Sequence, residues 1–167
     1  MRLDLDRSRY VLRTRAKGLL SALAHDLELE GRFASGEAKE EGGKWSGRAK
    51  VRPSDLRVVG VLHKDKLDTT VLSASDVREI ERRMRDDTLK GATEVEIVAR
   101  STDDLEIVLA GRTSKLRLSP RVAGDAVTAR GTLSMKALGL AEIKGPLGAF
   151  TVKDEIEVEV QAWLLPD

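Results

Sequence analysis

The clearest pattern lies in residues 127–163. Val127, Ala129, Gly131, Leu133 and Met135 alternate with Thr128, Arg130, Thr132 and Ser134. Further on, Ile156, Val158, Val160 and Ala162 alternate with Glu155, Glu157, Glu159 and Gln161. A period of two predicts two β-strands, each with one apolar face. Between them residues 136–153, KALGLAEIKGPLGAFTVK, are largely apolar and glycine-rich and follow neither period. They predict a bent, greasy connector at one end of a curled sheet.

The same alternation recurs upstream. Strands are predicted over 9–15, 26–33, 44–52, 56–62, 94–101 and 105–111, from one-sided runs such as Leu27, Leu29, Gly31 and Phe33. Residues 18–24, GLLSALA, form an apolar run too short to type. The charged, glycine-punctuated stretch 35–43 predicts an exposed hairpin loop, and 63–72 a polar connection. Thr113-Ser114 predicts a turn into 116–118, and Pro120 with Gly124-Asp125 a turn into the strand at 127. One helix is expected over residues 75–89, with Asp76, Ser73 or Ser75 as its cap and Val77, Ile80 and Met84 on one apolar stripe. The total is about nine or ten strands in hairpin order, hence an all-β, mostly antiparallel domain spanning residues 1–167.

So many one-faced strands must stack or close, and closure removes exposed edges. Five aromatic side chains cannot supply the two aromatic girdles of a membrane barrel, so the apolar faces are expected to point inward. The prediction is a closed antiparallel β-barrel with one amphipathic helix lying across it. The inward rows hold small residues, Gly31, Gly47, Ala49, Ala99, Gly111, Ala129, Gly131 and Ala162. They leave two readings open: an apolar cavity that takes an apolar ligand, or glycines that relieve curvature in a well-packed core.

Composition narrows the function classes. Charged residues make up 34% of the chain but nearly cancel at +1, which excludes the concentrated basic excess of a nucleic-acid binder. Cysteine is absent, so thiol nucleophiles and thiolate metal sites are excluded. The opening MRLDLDRSRY lacks the apolar core of a signal peptide, and no run matches a membrane helix. A cytoplasmic location is expected, or a periplasmic one if a leader has been removed.

The order of motifs resembles the YceI-like family, bacterial lipid- or polyisoprenoid-binding barrels of lipocalin-like fold. LDLDRSRYVLRTR at the start resembles the family's opening strand. SDVREIERRMRDDTLKGATEVEIVARS resembles its helix and following strand, and LEIVLAGRTSKLRL its hairpin. LSMKALGLAEIKGPLGAFTVKDEIEVEV resembles its closing element and acidic last strand. Two positions depart from the family pattern: Leu138 stands where Phe usually precedes Gly, and Lys17 where many members have His.

The resemblance implies a long-chain isoprenoid, quinone or other lipid as ligand, without cofactor or metal. The expected lining is Leu12, Leu20, Leu23, His25, Leu29, Phe33, Met84, Ile97, Ile107, Leu133, Met135, Leu138, Ile143, Leu147, Phe150 and Val158. His25, Lys17 and Lys144 are candidates for polar contacts at a mouth. Within the connector, Leu138, Leu140, Ile143, Leu147 and Phe150 are the candidate gate. The chain is not expected to be an enzyme. The alternatives are a lipid-ester hydrolase using His25 or His63, and a ligandless structural or oligomeric module. Trp163, on the polar face of the last strand, makes a homodimer the oligomer to look for.

Overall fold

The computed structural model describes residues 1–18 and 24–166. Its strands are β1 (Arg2–Leu3), β2 (Arg9–Thr14), β3 (Ala16–Lys17), β4 (Asp26–Glu41), β5 (Lys44–Val51), β6 (Arg57–His63), β7 (Lys66–Asp68), β8 (Val95–Ser101), β9 (Asp104–Leu109), β10 (Arg112–Ala123), β11 (Ala126–Ser134), β12 (Thr151–Val152) and β13 (Glu155–Leu165). One α-helix, α1 (Ala74–Arg83), lies between β7 and β8.

Eight strands close a ring in the order β2, β4, β5, β8, β9, β10, β11, β13 and back to β2, every neighbour antiparallel. The register explains why the apolar rows meet. Leu133 faces Ile156, and Ala129 faces Val160 across β11 and β13. Val158 then faces Leu12, and Leu12 faces Leu29. A one-residue slip anywhere would turn a whole row to solvent, so the inward belt fixes the pairing. On the outer face the partners are charges. Arg13 bridges Glu28 at 2.8 Å and Glu159 at 3.1 Å, and Arg130 also reaches Glu159 at 3.1 Å. The row Glu155, Glu157, Glu159 is therefore the acidic side of a cross-strand ladder.

Four sequence expectations need correction. The stretch 35–43 is the second half of β4, and its hairpin is only Gly42-Gly43, both with positive φ. The alternation there is hidden because the inward side chains are as small as Gly36 and Ala38. Thr113-Ser114 is strand; the turn is Ala110-Gly111, with φ of 48° and 78°. Pro120 sits inside β10 opposite Ala129. Pairing with β9 ends at Leu116, so β10 has a free edge where a missing N–H costs nothing. The connection 63–72 contains β7, which folds back on β6.

The helix begins at Ala74, one residue before the expected start, and of the three candidate caps Ser73 is the one used. Ser73 Oγ accepts from the Asp76 N–H at 3.1 Å, and Asp76 accepts from the Ser73 N–H at 2.9 Å, a reciprocal capping box. After Arg83 the chain runs on as a π-turn, Met84–Thr88. Val77, Ile80, Met84 and Leu89 pack on the core. Glu81, which the pattern places on the polar face, instead accepts the Val58 N–H at 3.0 Å and ties the helix to β6.

Candidate functional site

The barrel encloses a cavity of about 650 Å³. Its middle belt is aliphatic: Leu12 on β2, Leu29 on β4, Ile97 on β8, Ile107 on β9, Leu133 on β11 and Val158 on β13. Ala49, Ala99, Ala129 and Ala162 border it as well, and their short side chains leave the space open. The glycines of the same rows divide differently. Gly31 is covered by the Tyr10 ring, and a Cβ there would collide with it. A Cβ on Gly131 would be driven into the Arg117 carbonyl oxygen of the neighbouring strand. That glycine serves a close backbone approach on the barrel wall. The alanines and Gly47 border the cavity, while Gly31 and Gly131 serve close contacts in the wall.

One end of the cavity is bounded by Leu3, Trp45, Val122 and Leu164, with Ser46, Ser101 and Thr102 as its polar fringe. The other is bounded by the helix, through Ile80 and Met84, and by the connector. The connector is folded and anchored. Residues 136–138 form a single 3₁₀ turn closed by Gly139 in the left-handed region. Asp154 accepts from Ser134 Oγ at 2.6 Å and from the Lys136 N–H at 2.7 Å, which clasps the two ends of the connector together. These two hydrogen bonds hold its carboxyl below the usual aspartate range. Residues 143–152 then make a small hairpin, with Gly145 N–H to Phe150 O and Val152 N–H to Ile143 O both at 2.9 Å. Pairing of β12 with β3 and the Lys153 N–H to Arg15 O bond of 2.7 Å hold that hairpin against the barrel.

Met135, Leu138, Ile143 and Phe150 accordingly border the cavity, together with Leu140. Leu147 does not. It is fully solvent-exposed at the hairpin tip, in the left-handed region at φ 54°, so it is no part of a gate. Leu147 and Gly148, both in the left-handed region, make the reversal itself, and the Leu147 side chain stands outside it. Leu20 and Leu23 lie outside the described residues. Phe33 and Met84 border the cavity.

Of the polar candidates, His25 borders the cavity but is exposed, near the helix cap at Asp76. Lys144 borders the cavity too, while Lys17 lies outside it. Both lysines pair with Glu142 at 3.6 Å. His63 is exposed, with Nε2 4.0 Å from Asp68. Among the described residues no cluster of three histidine, aspartate or glutamate side chains could hold a metal ion. Trp163 is half-buried beneath the Arg7 guanidinium, 4.8 Å from its ring centroid. A cation–π contact therefore covers one face of this ring.

The pattern missed Tyr10 and Leu56. Tyr10 carries the inward parity of β2 and could have been found from it. Leu56 reaches the wall because Pro53–Asp55 forms a 3₁₀ turn before β6, which alternation does not encode.

No family model and no curated protein matches the chain. Among solved structures, the crystal structure of Burkholderia cenocepacia BcnA is similar at a TM-score of 0.61 and 11% identity, over 98% of this chain and 99% of that one. At that identity the likeness is one of architecture. The chain has the closed, lipocalin-like barrel fold with one helix.

Proposed function

We propose that the protein binds a long apolar molecule, a polyisoprenoid, a quinone or another lipid, inside its barrel and acts as a carrier, store or sequestering protein. The observation that carries this reading is the 650 Å³ cavity with its aliphatic middle belt. That size falls within the range of small-molecule sites. At roughly 30 Å³ per water-sized group it holds about twenty methylene-sized units. Each methylene withdrawn from water contributes about 0.8 kcal/mol, so a hydrocarbon chain needs few polar contacts to stay bound. The resemblance of the sequence to the YceI-like family points to the same ligand class, and the fold shared with BcnA is compatible with it.

The test is native mass spectrometry of protein purified without detergent, followed by organic extraction. A co-purified lipid, or saturable uptake of N-phenylnaphthylamine by delipidated protein, is expected. Protein that carries nothing and takes up no apolar probe would refute the proposal.

A further inference from the structure

Beside the aliphatic middle belt, two positions before Leu12 on the inner face of β2, Tyr10 carries a hydroxyl. Tyr10 lies opposite Val160 of β13 and Gly31 of β4, between the two cavity ends. Its ring is held in place on two sides. It packs edge-to-face on Phe33, with centroids 5.5 Å apart and planes at 67°. It also passes over Gly31, which leaves room for it by having no Cβ.

Tyr10 is only 8% exposed and borders the cavity. Its hydroxyl makes no hydrogen bond among the described residues. Yet no described side-chain nitrogen or oxygen is both fully enclosed and unpaired, so this oxygen still touches open space. The cavity is the open space that Tyr10 borders. Phenylalanine would pack as well without burying a hydroxyl, whose unpaired burial is costly. Resting on the reading of the cavity as a lipid site, the geometry points to Tyr10 as a hydrogen-bond donor that recognises an oxygen acceptor within an otherwise apolar chain. The acceptor class is a carbonyl, as in a ketone, ester or quinone. It is held mid-barrel, away from the mouth groups His25 and Lys144.

Burial and the nearby Asp55 carboxylate push the phenol pKa up to about 12, so the donor proton is retained at physiological pH. Of the other polar side chains on the wall, Ser46 and Ser101 lie towards one end and Lys144 towards the other, while Thr14, two residues past Leu12 on β2, accepts the Leu27 N–H at 3.3 Å.

The experiment uses displacement of N-phenylnaphthylamine by a long-chain ketone and by the alkane of equal length. The wild type should prefer the ketone about three- to tenfold, the range set by one neutral hydrogen bond. Tyr10→Phe should lose that preference while keeping its alkane affinity. Equal weakening towards both competitors, or a ketone preference that survives Tyr10→Phe, overturns the assignment. Failure of both competitors to displace the probe from wild-type protein instead removes the lipid-binding reading itself, and the subsite with it. Tyr10 is the only tyrosine in the chain, so isotope-labelled tyrosine gives a single Cζ resonance. That resonance should shift when ketone binds and stay in place with alkane; an unmoved resonance in the ketone complex overturns the donor role.

Discussion

The substitution Ala129→Phe separates an open barrel from a filled one. Ala129 is buried on β11, faces Val160 on β13 and borders the cavity. A phenyl ring placed there points into the 650 Å³ space. In a close-packed core such a change is overpacking and costs about 1–3 kcal/mol. For a domain of this size that lowers Tm by about 2–4 °C per kcal/mol. In an open barrel the ring meets no wall and buries its own surface, so Tm should hold or rise. The ring takes the place of about five methylene-sized units of ligand. At about 0.8 kcal/mol each, roughly 4 kcal/mol of ligand burial is lost, about a thousandfold in affinity. Probe titration and thermal unfolding of the delipidated protein read both effects. A lowered Tm with undiminished probe affinity would refute the argument, because it would mean that this wall is packed and that the ligand lies elsewhere.

Three further outcomes test the connector. Asp154 has a depressed folded-state pKa, so its clasp contributes fully above the unfolded aspartate value of about 3.9 and is lost as pH falls through the lower folded value. Acidification below about pH 4 should therefore raise hydrogen exchange in residues 136–153 ahead of the barrel strands. Asp154→Ala should cost about 1–2 kcal/mol in urea unfolding and expose the connector already at neutral pH; unchanged exchange would mean the clasp is incidental. Leu147→Asn should leave probe affinity intact and keep or raise stability by up to about 1 kcal/mol, since asparagine accepts the left-handed conformation better; a loss of uptake would restore Leu147 to the gate.

What alternation could reveal was the wall, and what it could not was the closure. The rows through Leu12, Leu29, Leu133 and Val158 were legible because a strand buried on one face must repeat every second residue. The second half of β4 was not, because Gly36 and Ala38 carry the inward parity with too little apolar mass to register as a pattern. Strand ends were misread where glycine and proline do work other than turning. Pro120, read as part of a turn, lies inside a strand on its free edge.

The small residues divide position by position rather than by type: the alanines and Gly47 border the cavity, while Gly31 and Gly131 serve contacts in the wall. The connector shows the harder limit. Its hydrophobicity alone suggested a gate that included Leu147. Which of its apolar side chains face inward depends on a hairpin fixed by β3, Arg15 and Asp154, partners far away in sequence. Apolar content says that a segment must bury something. Only the long-range hydrogen bonds decide which side chain stays outside, and here they leave out the leucine at the tip.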